Sequence, residues 1–90
     1  MNPEVRHNEG KCRFEAGSEG NPAHLDYLIV EKSMEIYHTE VPNQYQGKGL
    51  AAKLATASLE WAREQGFKVI TTCSYATSFM AKHPEYQDLV

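Results

Sequence analysis

Two stretches of this chain, and one histidine, carry residue types that do chemistry when the backbone presents them correctly. The first stretch is Gln44-Tyr45-Gln46-Gly47-Lys48-Gly49-Leu50-Ala51-Ala52, at the start of a run with helical periodicity. The first turn of a helix leaves its amides without partners, and the helix dipole places partial positive charge there. Gly47 and Gly49 let a phosphate approach the backbone with no Cβ in the way, and Lys48 adds a mobile cation. The chemistry implied is anion binding; the competing reading is a tight turn with no ligand. The second stretch centres on Cys73, which follows an apolar segment and precedes a short helical one. A thiol at a helix N-terminus is pushed toward thiolate and can serve as nucleophile or proton donor. A lone cysteine in such a place is more often a small buried hydrophobe. His38 has the imidazole that suits a general base near neutral pH. It also alternates in phase with Met34 and Ile36, which suits a core histidine.

Other phosphate and metal motifs fit less well. Gly47-Lys48-Gly49-Leu50-Ala51-Ala52 satisfies the dinucleotide pattern G-x-G-x-x-G/A. The chain is too short for that fold, and the acidic residue expected about 20 positions on is absent. No Gly-x-x-x-x-Gly-Lys-Ser/Thr occurs. His7, His24 and His83 are scattered without metal-ligand spacing, so no metal is expected. Cys12 shares a phase with Phe14 and Ala16 and reads as structural.

The elements that must position these residues follow from periodicity. Residues 1–10 are polar and read as a flexible N-terminal arm, leaving 11–90 as the domain. Lys11–Ala16 alternates as an edge strand, and Gly17-Ser-Glu-Gly20-Asn-Pro22 is a loop. Ala23–Val30 is apolar on both faces, which predicts a strand covered on both sides. Ser33–Glu40 forms the next strand, with Met34, Ile36 and His38 on one face and Glu35, Tyr37 and Thr39 on the other. Pro42-Asn43 breaks it. From Gly47 to Gln65 the period becomes helical, with Leu50, Leu54, Ala55, Ser58, Leu59 and Ala62 in one stripe. Gly66 stops the helix. Phe67–Thr72 is a buried strand, and Ser74–Lys82 a short helix with Ser74 as N-cap, ended by His83-Pro84. Glu85–Asp88 reads as a solvated tail. The order gives an α+β fold: a mixed, mostly antiparallel sheet with one long helix and one short C-terminal helix. The crossover makes the strands at 33–40 and 67–72 parallel if they share the sheet.

Composition narrows the classes. Ninety residues make one domain. A net charge of −3 gives no electrostatic reason for a nucleic-acid partner. Two cysteines without a Cys-x-x-Cys pair, no apolar leader and no membrane-length apolar run predict a reduced, cytoplasmic protein without a membrane partner.

The motifs carry a family resemblance. Gln44-x-x-Gly47-x-Gly49 resembles the Q/R-x-x-G-x-G/A signature of the Gcn5-related N-acetyltransferases. With His38-Thr-Glu-Val-Pro, Cys73-Ser-Tyr and His83-Pro-Glu-Tyr, residues 10–90 are similar to the minimal, single-domain branch of that family. The resemblance implies splayed strands forming an acyl-CoA cleft. It implies acetyl-CoA as cosubstrate, with Thr39, Glu40 and Val41 contacting the pantetheine arm through their backbone. Gln46, Gly47, Lys48, Gly49, Leu50 and Ala51 would cradle the pyrophosphate, and Gln44, Ser74 and Phe79 complete the cofactor set. Tyr75 and Phe79 have a core role as their other reading. At the acyl end, Cys73 would take the acetyl group or protonate the leaving thiolate, His38 would be the candidate base, and amides near Val41 would polarise the carbonyl. The acceptor would be an unknown amine, or none if the domain only binds CoA. The family often has proline where this chain has Thr71-Thr72. The chain also lacks the extra elements that shape the acceptor side in larger relatives.

Overall fold

The structure is a computed structural model and describes residues 4–18 and 20–90. A five-stranded sheet runs in sequence order: β1 (Val5–Asn8), β2 (Arg13–Ala16), β3 (Ala23–Val30), β4 (Ser33–Glu40) and β5 (Lys68–Thr71). The first four strands pair antiparallel and β4 pairs parallel with β5. The parallel pair is joined through α1 (Leu50–Gln65), and α2 (Ser74–Lys82) follows β5. The mixed sheet with one long and one short helix is the α+β arrangement expected. Among the described residues no helix is long and apolar enough to cross a membrane.

Helix α1 forms where the apolar stripe predicts it and buries Leu50, Leu54, Ala55, Ser58, Leu59 and Ala62. Alanines in that stripe let it lie close on the sheet. It ends at Gly66, whose φ of 78° lets its N–H reach the Arg63 carbonyl while the Phe67 N–H reaches Ala62. The core between this helix and the sheet holds Phe14, Leu25, Tyr27, Met34, Ile36 and Val69.

Several expectations are corrected. Val5–Asn8 is a strand, not part of a frayed arm, and residues 1–3 lie outside the described residues. Its hold comes from His7, stacked on Phe14 at 4.0 Å, edge-on to Trp61 at 4.6 Å, and bonded to the Tyr27 hydroxyl at 2.6 Å. β2 therefore lies inside the sheet, and it starts at Arg13 because Cys12 adopts a left-handed conformation. The second face of β3 is open: Leu28 and Val30 are exposed, since no second layer covers that side. Glu85–Asp88 is not a free tail. Tyr86 and Leu89 are buried, the Tyr86 hydroxyl donates to Glu60 at 2.8 Å, and Arg63 pairs with Asp88 at 2.7 Å.

The correction with most consequence is in β4. The β3–β4 ladder closes on a two-residue turn, Glu31-Lys32, and pairs Tyr27 with Ile36. The next pair is Asp26 with His38, so Tyr37 has no partner and forms a bulge. One extra residue inverts the side-chain alternation beyond it. Met34 and Ile36 face the core, but His38 and Glu40 face the open side and Thr39 faces the core side. His38 is thus not a core histidine; about half its side chain is exposed.

Candidate active site

The glycine turn and the parallel strand pair meet at one end of the sheet. α1 begins at Gly49, which has φ of 73° and offers no side-chain cap. Among the described residues none of the backbone N–H groups from Gly47 to Ala52 donates to a protein acceptor; the first to do so is Lys53, to the Gly49 carbonyl at 3.2 Å. Six consecutive amides are therefore left for a ligand or water. The turn ahead of them is held from both sides. The Gln46 side-chain amide donates to the Val41 carbonyl at 2.8 Å, and the Ser18 N–H donates to the Tyr45 hydroxyl at 2.6 Å. Gly17 makes the second contact possible, because a Cβ there would stand 2.6 Å from the Tyr45 ring.

β4 and β5 part company at Ile36. The ladder ends at Ile36 with Thr71, and the Ile36 carbonyl takes both the Thr72 and Cys73 amides. Tyr37–Glu40 continues on β3 alone, so its other edge has no strand partner among the described residues. A cleft of about 180 Å³ opens at the glycine turn just past the end of β4, walled by Val41, Tyr45, residues 46–47 and 49–52, and Tyr75 of α2. A second recess of about 270 Å³ adjoins it through Ala52 and Tyr75 and is walled by Ser78, Phe79, Lys82 and His83.

Cys73 stands at the inner end of the gap as the N-cap of α2, the place expected of Ser74, which is instead the exposed first residue of the helix. The Cys73 Sγ lies 3.5 Å from the Thr39 hydroxyl across the gap. Burial pushes the thiol's pKa up. Hydrogen bonds from Thr39 and from the Ala76 and Tyr75 amides outweigh it, so the net shift is downward.

The expected site residues thus divide. Thr39, Val41, Gln46, Gly47, Gly49, Leu50, Ala51 and Cys73 gather along the cleft and the gap behind it. Gln44 and Lys48 are exposed on the turn without lining the cleft, and Ser74 is exposed outside it. Phe79 is buried and stacked on His83 at 3.9 Å, so it supports the second recess from the core. His38 and Glu40 face the other side of the sheet, where His38 Nε2 meets Glu40 Oε1 at 3.2 Å; among the described residues no hydrogen bond joins His38 to Cys73. Three residues that matter were not singled out from sequence as parts of the site: Tyr45, which braces the turn, Gly17, which makes room for it, and Thr39 as the partner of Cys73 rather than only a backbone contact. His24 was read as scattered, yet it packs 5.6 Å from His38, ring to ring.

A model of the GCN5-related N-acetyltransferases matches residues 13–89. Protein NATD1 of Mus musculus is 34% identical over 83 residues, covering 89% of this chain and 76% of its own length. Protein NATD1 of Danio rerio is 30% identical over 91 residues, covering 96% and 83%. The NMR solution structure of a GCN5-like protein from Staphylococcus aureus superposes with a TM-score of 0.79 at 34% identity, covering 99% of this chain and 88% of that one. With a family match that spans β2 to β5, the glycine turn and both helices, the chain belongs to the GCN5-related N-acetyltransferase family.

Proposed function

We propose that this domain transfers an acetyl group from acetyl-CoA to an amine, with Cys73 taking part at the acyl end. The observation that carries the reading is the run of unpartnered amides from Gly47 to Ala52, bordering a cleft walled by Val41 and Tyr75, with the free edge of β4 and the Thr39–Cys73 contact beside it. Those amides, with the α1 dipole, suit a diphosphate, and Lys48 stands beside them. The edge of β4 that β5 leaves free, from Thr39 through Glu40 toward Val41, suits an extended arm with amides of its own. Gln44 and Ser74 would touch the cofactor only through exposed side chains at the rim, and Phe79 would touch it from the second recess.

Two routes use the same atoms. In one, the Cys73 thiolate attacks the thioester carbonyl and CoA leaves as its thiolate; the amine then attacks the acetyl-Cys73 carbonyl, the bond to Cys73 breaks to restore its thiolate, and the amine's proton passes to the CoA thiolate. In the other, the amine attacks directly, and the Cys73 thiol gives its proton to the departing CoA sulfur. The bonds to Thr39 and the α2 amides favour a thiolate and so favour the first route. His38 can serve as base only toward an amine that arrives from the open face of the sheet. A reading as a CoA-holding module without transfer is favoured by one observation: among the described residues no imidazole or carboxylate is bonded to Cys73. We place the protein in the cytoplasm, where free cysteines such as Cys12 and Cys73 stay reduced.

Intact-mass spectrometry after incubation with acetyl-CoA, followed by a panel of amines, separates these readings. One added acetyl group, absent in Cys73→Ser and discharged by an amine, supports the covalent route. Transfer without a protein adduct supports direct attack. Saturable CoA binding with no turnover supports the holding module.

A further inference from the structure

On the face of the sheet away from the cleft, the bulge at Tyr37 brings two histidines and three carboxylates into adjacent cross-strand rows. Glu15, His24 and Glu40 are successive partners across β2, β3 and β4, and Arg13, Asp26 and His38 form the next row. One ligand atom each from His24, His38 and Glu40 lies within 4.8 Å of the others. We propose that these three residues form a binding site for an imidazole-preferring divalent metal ion, of which zinc is the test case.

Three features support it beyond proximity. His24 Nδ1 lies 3.0 Å from Asp26 Oδ1, which holds the ring in one orientation and leaves Nε2 as the nitrogen available to a ligand. A carboxylate behind the imidazole is the arrangement that fixes metal-ligating histidines and raises their basicity. Asp26 is itself nine-tenths buried and is held by Arg13, whose Nε and Nη2 lie 2.9 and 3.3 Å from its two oxygens. So burial and an ion pair set this second layer, not chance exposure. The outer ligands, His38 and Glu40, are about half exposed and need to draw in by about 1 Å for a tetrahedral zinc with ~2.0–2.2 Å bonds. Two imidazoles and one carboxylate favour zinc over magnesium or calcium, which prefer all-oxygen sets. The fourth position faces solvent.

The charged groups facing the two rings are Glu15, Asp26 and Glu40, with Arg13 behind Asp26.

Calorimetric titration of zinc into the full chain is expected to give one site per molecule. His24→Asn, His38→Asn and Glu40→Gln should each abolish it, and Asp26→Asn should weaken it by ~10–100-fold. Cys73→Ser and Cys12→Ser should leave it unchanged. X-ray absorption of the zinc complex should show nitrogen and oxygen neighbours only. In the unaltered protein, zinc should shift the ring NMR signals of His24 and His38 but not those of His7 and His83, a readout that survives if a variant fails to fold. A sulfur shell, binding lost with Cys73→Ser, ring signals of His24 and His38 that do not move, or no saturable binding overturns the proposal. None of these readouts depends on acetyl transfer.

Discussion

The Cys73 sulfur sits between opposing influences: burial raises its pKa, while the Thr39 hydroxyl and two α2 amides lower it by more. Because the thiolate is the reactive form, a lowered pKa moves reactivity to lower pH. In a Cys12→Ser background, the rate of iodoacetamide alkylation should rise with pH at a midpoint below that of an unperturbed thiol. Thr39→Val removes one stabilising bond and should move the midpoint upward; a profile that Thr39→Val leaves in place would remove Thr39 from the account. This residue was legible in sequence because a thiol between a strand and a helix has one evident neighbour, the helix N-terminus. Thr39 as its partner was not legible, since the alternation read from Met34 and Ile36 puts Thr39 on the wrong face. The glycines were legible for the opposite reason. Positive φ at Gly47 and Gly49 is a local demand that a sequence advertises directly. A Cβ at Gly49 meets no protein atom, so Gly49→Ala should cost the fold only about 1–2 kcal/mol for its left-handed backbone. Its effect on CoA affinity by calorimetry should be larger in proportion, because the methyl group stands among the free amides. Equal affinities for the two proteins would argue that no anion rests there.

At the scale of elements, α1 and α2 were readable because a 3.6-residue apolar stripe with glycine or proline stops needs no knowledge of partners. The strands were harder. In β4 nothing in the types of Tyr37, His38 and Thr39 marks a bulge; it comes from pairing with β3 and decides which face His38 occupies. β1 was invisible because its four residues hold one aliphatic side chain, Val5, and its anchor is a histidine. That anchor makes a testable demand. Burial lowers the pKa of His7, with Glu9 opposing, so the ring is neutral in the fold. Below about pH 6.5 the unfolded chain binds a proton that the folded chain resists, so unfolding gains protons and stability falls as pH drops. Above that pH the term vanishes, because His7 is neutral in both states. Protection factors of the β1 amides, corrected for intrinsic exchange at each pH, should therefore fall between pH 7.5 and pH 5.5 more than those of β3, and His7→Gln should flatten the difference. If β1 and β3 respond equally, His7 is not what holds the edge strand.

For the molecule as a whole, the cleft is built from parts far apart in the chain: the turn at Gly17–Ser18, the Val41–Ala52 segment, the free edge of β4, and the start of α2. A domain of this size buries a modest fraction of its surface, so it has little stability to spare. A ligand bridging α1, β4 and α2 adds contacts that only the folded state can make. At 100 times Kd it contributes about 2.7 kcal/mol, and at ~4–8 °C per kcal/mol for a domain this small, acetyl-CoA should raise Tm by ~10–20 °C. Gly17→Ala tests whether the distant turn belongs to this assembly. The added Cβ would collide with the Tyr45 ring, and alanine is strained at φ of 96°, so Tyr45 must leave the Ser18 amide. The variant should lose stability without ligand and should also show a smaller acetyl-CoA shift, although residue 17 does not line the cleft. A variant that loses stability yet keeps the full shift would mean that the turn supports the fold alone. Loss of both would mean that Tyr45 transmits the position of the β2–β3 turn to the amides at the head of α1.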